Sequence, residues 1–461
     1  MLTPGQTGWG DPLAFSMSKS SLQRALANSF LAGEPYLEQL VSRASRTLGR
    51  DWRWLRSLAH RYLKRFAGQT RPRHRDVVRF LNDDSGFRRA WLQNHSELTV
   101  AHWVTEPPRM QPVAAAESWK IPSISSAGDL AAWLGLSIGE LQWFEDVRRL
   151  VYKEGSSKLR HYHYRVVAKQ FGAVRLIEAP KPRLKTLQRQ ILSQILEQIP
   201  AHPAAHGFIK GRSIKTFVSP HVGRRVILRM DLQDFFPSFA AARIQALFRT
   251  FGYPESVANL LAGICTTTTP QSVWEGTGFD VSLKQLQEAR ILYSNAHLPQ
   301  GAPTSPALAN LCTYRVDCRL RGLASAAGAA YTRYADDLAF SGDTQFEQGI
   351  ERFSNHAAAI ILEEGFAVHF RKTRIMRRGV RQHLAGIVTN HHINIMRPDF
   401  DRLKAILTNC VRLGPQSQNR DAHSHFRLHL EGRVGFVEMI NPAKGYRLRR
   451  ILDQIQWPTE T

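Results

Sequence analysis

The chain has 461 residues, enough for two to four domains and a sizeable buried core. Its formal charge of +24 points to a polyanionic partner, either nucleic acid or an anionic membrane surface, with a basic scaffold lacking catalysis as the alternative. No apolar run approaches a membrane span, and Cys265, Cys312, Cys318 and Cys410 form no Cys-x-x-Cys pair, which argues against zinc and disulfide frameworks and fits a cytoplasmic protein.

Residues 1–20 read as a loose lead-in rich in Gly, Pro and Ser, without the pattern of a signal peptide. Residues 21–66 carry apolar side chains at helical spacing, among them Leu37, Leu40, Ala44 and Leu48, then Leu55, Leu58, Tyr62 and Phe66. Arg53, Arg56, Arg61, Lys64 and Arg65 flank the second face. Either the arginines grip RNA with Trp52 and Trp54 interleaved, or this is a solvated bundle whose aromatics are core. Prolines 107, 108, 112 and 122 mark a linker over residues 105–125. A helical pattern resumes over 126–150, where Ser137-Ile-Gly-Glu140 fits a capping box.

Tyr162–Ala168 and Val174–Ala179 read as two strands around Gly172, followed by a helix from Leu184 through Leu196. His206-Gly-Phe-Ile-Lys-Gly-Arg212 is Gly-rich and basic. Through Lys210 and Arg212 it can approach a template phosphate, although it is not a Walker loop. His202 and His206 stand at a metal-like spacing, but without a nearby carboxylate or Cys they are not expected to hold zinc. Val226–Met230 is an apolar strand that ends in Asp231. Residues 266–297, opened by four threonines, form a long polar segment, either a nucleic-acid contact or a tolerated insertion. Ser305 and Pro306 suit the N-cap and first turn of a helix through Leu311.

Tyr331–Phe340 places Asp336 and Asp337 at the bend of an apolar hairpin. Asp is common in turns, so a plain polar turn is one reading. The other is a metal site, because adjacent buried anions demand a cation and carboxylate oxygens suit Mg²⁺. Asp231, at the end of another strand, favours the second. Strand-borne acids that converge can hold two metals for a phosphoryl transfer. Farther on, 399–461 read as helices with a basic tail containing Lys444, Arg447, Arg449 and Arg450.

Tyr334-Ala-Asp-Asp337, Asp231-Leu-Gln-Asp-Phe-Phe236 and Leu298-Pro-Gln-Gly-Ala-Pro-Thr-Ser-Pro306, in this order and spacing, resemble the palm motifs of bacterial retron-type reverse transcriptases. The resemblance covers roughly residues 125–461. It implies an α+β right-hand polymerase fold. The parts would be an N-terminal helical basic extension (1–120), a helical lead-in and fingers (121–230), a palm with an antiparallel sheet (231–395, with an insertion at 266–297) and a helical thumb (396–461). The implied activity is RNA-directed DNA synthesis from dNTPs on a companion structured noncoding RNA, in antiphage defence, with an effector protein as a further partner and no membrane.

The same resemblance assigns roles. Asp231, Asp336, Asp337 and the Leu232 carbonyl would hold two Mg²⁺ ions, with Mn²⁺ as a substitute. Lys169 and Arg175 would grip the triphosphate, Phe236 would exclude the ribose 2′-hydroxyl, and Gln300 and Gly301 would line the nucleotide pocket. Lys372 would protonate the leaving pyrophosphate. Lys210, Arg212, His221 and Arg447 would contact nucleic acid. Two elements depart from the family pattern. Phe217-Val-Ser-Pro-His221 keeps only the histidine of Asn-Ala-x-x-His, and Val388-Thr-Asn390 replaces Val-Thr-Gly. Both elements are associated with recognition of the cognate RNA. The rivals are a group II intron-like or other defence-associated reverse transcriptase, and a silent RNA-binding scaffold. No maturase or HNH pattern follows the thumb, which counts against an intron protein.

Overall fold

The computed structural model describes residues 18–33, 35–67, 72–104, 110, 112–146, 160–168, 174–275 and 282–457. The chain divides into two compact units, Met1–Pro108 and Arg109–Thr461. The division falls inside the proline-rich stretch, ahead of the boundary expected near residue 120.

Among the described residues the first unit contains five helices, Lys19–Leu31, Leu37–Leu48, Arg53–Arg65, His74–Asp83 and Ser85–Asn94. Their apolar stripes close a single core around Leu26, Phe30, Leu40, Leu58, Tyr62 and Phe87. Trp52 and Trp54 pack against that core, while Arg53, Arg56, Lys64 and Arg65 are exposed. The aromatics therefore follow the bundle reading and the arginines face water.

The second unit is built on a four-stranded antiparallel sheet. Its strands are β3 (Val226–Asp231), β4 (Ala330–Tyr334), β5 (Asp337–Gly342) and β6 (Arg374–Arg377), in the order β4-β5-β3-β6. An interior strand with both faces covered reads as a continuous apolar run, which is why Val226–Met230 shows no alternation. Leu228, Met230, Leu338 and Phe340 join one core, while Ile227 and Ala339 join a second core shared with the C-terminal helices. Before the sheet, β1 (Tyr162–Ala168) and β2 (Val174–Pro180) form an antiparallel hairpin, as expected. After it, β7 (His383–Leu384), β8 (Ile387–Val388) and β9 (Asn394–Ile395) form a small sheet. The helices Arg397–Leu413, Phe426–Ile440 and Pro442–Leu452 finish the chain.

Several local expectations are met and others are corrected. The capping box at Ser137 and Glu140 is present. The helix expected to start after Ser305 instead has Thr304 at its N-cap, because the Ser305 hydroxyl turns back to donate to the Pro299 carbonyl at 2.7 Å. The described parts of the 266–297 segment, 266–275 and 282–297, are packed against the fold. Thr266, Thr267 and Thr269 are buried, Thr267 exchanges backbone hydrogen bonds with His297, and Trp274, Ala289 and Tyr293 form a small core with Val174 and Leu176 of β2. Val388-Thr-Asn390 closes its own hairpin: the Asn390 side chain accepts from Gln382 N–H and donates to the Val380 carbonyl, each at 2.8 Å.

Candidate active site

Asp231 is the last residue of β3 and lies opposite Asp337, the first residue of β5, in the antiparallel register. Leu232 N–H then donates to the Asp336 carbonyl at 2.9 Å, tying the chain beyond β3 to the bend between β4 and β5. The two acidic segments, far apart in sequence, thus meet at one end of the sheet. The bend is sharp because Ala335 adopts φ +55°, an unusual conformation for a residue with a Cβ.

Crowding of these carboxylates sets their chemistry. Burial, then the neighbouring Asp231 and Asp337, push the Asp336 carboxyl up to about 6. Burial and Asp231 also raise Asp337, against the opposing pull of Arg229. Arg229 donates to Asp337 Oδ1 from Nε at 2.9 Å and from Nη2 at 2.7 Å. Lys372 Nζ donates to both Asp231 oxygens, at 2.9 and 3.1 Å. No cation is bonded to Asp336 among the described residues.

Among the described residues no group of three or more His, Cys, Asp or Glu side chains is arranged to hold a metal ion unaided. The donor set is open, with carboxylates at the floor of a cleft and one of them lacking a cation. That arrangement fits Mg²⁺, which binds through one or two carboxylates and completes its shell with water and substrate phosphates.

A pH-dependent prediction follows from Asp336. Its folded-state value lies above the ordinary 3.8, so the ionised carboxylate destabilises the metal-free fold above pH 6. That penalty fades as pH falls through 6 and vanishes below the unfolded value. Asp336→Asn should therefore stabilise the metal-free protein by on the order of 2 kcal/mol at pH 8, and by much less at pH 4. Thermal unfolding in chelator across this range checks it; a gain that grows toward pH 4 would contradict it.

The cleft holds about 1790 Å³, more than the roughly 300–1,000 Å³ of a small-molecule pocket. Asp231, Leu232, Asp336, Asp337, Arg175, Phe236, Gln300 and Lys372 all line it, so eight of the expected site residues converge. Gly301 adjoins Gln300 at φ +137°, and a Cβ there would sit 2.9 Å from the Glu178 carbonyl oxygen, so only glycine fits. Lys169 lies outside the described residues. Lys210 is exposed on its loop, and Arg447 is exposed on the helix Pro442–Leu452 away from the cleft lining.

His221 does not fit its expected role. It is completely buried, with Nδ1 2.6 Å from the Ser341 hydroxyl and Nε2 2.7 Å from the Thr332 hydroxyl. Burial pushes its pKa down to about 3, so it is a neutral internal tie and cannot touch nucleic acid. Arg212 is also engaged internally, donating from Nη1 to the carbonyls of His202, Pro203 and Ala205. Gly207 makes its close approach to the protein itself: a Cβ there would lie 2.8 Å from Ala335 N. Its carbonyl accepts from Asn310 at 2.8 Å, so this loop braces the acidic bend.

Two features of the site escaped the sequence reading. Arg371, Arg374 and Arg381 line the cleft and are exposed, giving it a basic wall. The charge run Arg371–Arg381 was the available signal. Phe208, at φ +61° and 52% exposed, projects beside Phe236 and Tyr334 with ring centroids 6.4 and 6.2 Å away. No local pattern announces that placement.

Comparison with known proteins gives a consistent picture. Residues 167–396 match the family model described as reverse transcriptase (RNA-dependent DNA polymerase). The chain is 42% identical over 331 residues to the retron Mx65 reverse transcriptase of Myxococcus xanthus, covering 72% of each chain. It is 35% identical to the retron Mx162 reverse transcriptase of the same organism, over 70% of this chain and 66% of that one. Identity to the retron Ec86 reverse transcriptase of Escherichia coli is 28%, over 73% of this chain and 91% of that one.

Proposed function

The chain belongs to the retron reverse transcriptases and is an RNA-directed DNA polymerase, and from this we propose that it extends a primer along part of a companion structured noncoding RNA, at the acidic end of its central sheet. The observation that carries the site is the Asp231–Asp337 register with Asp336 between the strands, at the floor of a cleft with an arginine wall.

Asp231, Asp336, Asp337 and the Leu232 carbonyl would hold two divalent cations, taken to be Mg²⁺. When bound, such ions lower the pKa of the primer 3′-hydroxyl and neutralise charge on the triphosphate. Lys372 offsets the Asp231 charge in the unliganded protein and lines the same cleft, from which it would give a proton to departing pyrophosphate. Arg175 supplies charge for the triphosphate, and Gln300 faces the same cleft; Lys169 would add to that charge. Arg371, Arg374 and Arg381 offer bidentate donors to a nucleic-acid backbone, as does Arg447 from outside the cleft, where Lys210 adds a point charge. An antiphage role with an effector protein belongs to the same proposal, resting on kinship alone.

Phe236 is the proposed sugar gate. It lines the cleft, braced by Phe235 at a centroid distance of 5.5 Å. Phe236→Ala should raise ribonucleotide incorporation relative to deoxynucleotide by at least about tenfold, since a ring excludes a hydroxyl by volume. Single-nucleotide incorporation with matched rNTP and dNTP reads this out; an unchanged ratio removes Phe236 from the role.

The template is tested by sequencing the nucleic acid that copurifies with the protein. One structured RNA, together with DNA complementary to part of it, is expected. A broad sample of cellular transcripts, with no such DNA, would overturn the retron-RNA reading while leaving the polymerase intact.

A further inference from the structure

Beneath the nucleotide cleft lies a buried polar cluster that the chemistry above does not use. Glu178, on β2, is completely buried, and His297 is 1% exposed. Glu178 Oε2 lies 2.9 Å from His297 Nε2, and Oε1 accepts from the Thr269 hydroxyl at 2.8 Å. His297 Nδ1 lies 2.7 Å from the Asn295 carbonyl, which can only accept, so Nδ1 carries a hydrogen. The Nε2–Oε2 contact therefore contains one proton, whichever atom holds it, and the pair is neutral overall. A neutral, fully bonded pair is tolerable in a low-dielectric interior, whereas either partner alone is not.

The cluster joins three pieces of chain that meet at the nucleotide end of the cleft. Glu178 N–H donates to the Gln300 carbonyl at 2.9 Å, and its own carbonyl abuts Gly301. Three residues back along β2, Arg175 lines the cleft. Thr269 and His297 bracket the polar segment whose role the sequence left open. The β1–β2 hairpin is thus fastened to the Gln300–Gly301 turn by the Glu178 backbone, and to Thr269 and His297 by the Glu178 carboxylate.

We infer that Glu178, held by His297 and Thr269, is a positioning residue that sets the spacing between Arg175 and Gln300 and so the affinity for the incoming nucleotide. The inference rests on the proposal that Arg175 and Gln300 bind that nucleotide. It gives the 266–297 segment a task, which is to supply both partners of the latch.

The test measures KM for dNTP and kcat separately in steady-state primer extension by the full-length protein. Glu178→Leu should raise KM by about tenfold or more with kcat within about threefold, because a displacement near 1 Å far from the chemistry can cost that much. Glu178→Gln keeps both contacts, with its amide N–H donating to His297 Nε2 and its carbonyl accepting from Thr269, and should restore KM to within about twofold. Thr269→Val, a milder change that preserves shape, should raise KM about two- to threefold and keeps the test decisive if Glu178→Leu does not fold. Arg175→Ala and Gln300→Ala separate the two ideas. If they leave KM unchanged, the nucleotide assignment fails. If they raise KM while Thr269→Val and a folded Glu178→Leu do not, the latch alone fails. A Glu178→Gln protein as impaired as Glu178→Leu would also overturn it.

Discussion

Asp336→Ala should abolish templated DNA synthesis, by at least about 10³-fold in kcat, while RNA binding and the melting temperature hold or rise. The expectation follows from position and electrostatics together. Asp336 sits in the bend beside Asp231 and Asp337 without a bonded cation of its own, and its carboxyl is pushed up to about 6 by burial and like charge. Such a group is a net liability to the fold and persists because the chemistry requires it. Losing it removes a ligand and relieves repulsion at the same time. Primer extension on an RNA template, with urea denaturation in parallel, gives both readings. Residual synthesis within tenfold of wild type would exclude Asp336 from the reaction. A large loss of stability would show that the carboxylate serves the fold instead.

Asp317→Ala should cost about 3–5 kcal/mol of stability, the largest loss expected from one side chain remote from the cleft. Asp317 and Arg333 are both completely buried. The guanidinium donates from Nε to Oδ1 at 2.8 Å and from Nη2 to Oδ2 at 2.7 Å, while Nη1 reaches Asn310 Oδ1 at 2.9 Å and the Ala335 carbonyl at 3.1 Å. Tyr331 O–H is a third donor to Asp317, at 2.7 Å from Oδ1. Deleting the carboxylate strands a charged guanidinium in a dry interior directly behind the acidic bend. Activity should fall with stability, since Arg333 and Ala335 flank the acids. The double substitution Asp317→Leu/Arg333→Met should recover much of the loss, because it removes both charges. Denaturant titration of the three variants measures this; a single-variant loss below about 1 kcal/mol would show that water reaches the pair.

The acids were legible because their signals are local. An apolar run that stops at Asp231, and an apolar hairpin bent at two aspartates, each state a strand end, and the antiparallel sheet then brings such ends together. Phe236, Gln300 and Lys372 were placed through the motifs around them, and they do share the cleft. What failed to show is long-range. Arg333 alternates with apolar neighbours like an outward-facing strand residue, and only the helix Tyr314–Ala326 lying behind the sheet reveals Asp317 as its partner. His221 resembles a family element, but the chain folds it beneath β4 and β5, where two hydroxyls satisfy both ring nitrogens. The run Thr266–Thr269 opens a segment left between a nucleic-acid contact and a tolerated insertion, because polar threonines carry no local sign of burial. In the fold its hydroxyls and amides find partners in Ala262, His297 and Glu178.

Ala335 has one more implication. A left-handed backbone with a methyl group costs roughly 1 kcal/mol relative to glycine, yet the methyl is 7% exposed and the carbonyl is held by Arg333. Gly207 presses against its amide from the other side. A tip clamped on three sides behaves as a casting, not a hinge. Its geometry is inherited from the sheet before any substrate arrives, so heat should silence this enzyme only when the sheet itself melts, with no earlier softening of the active centre.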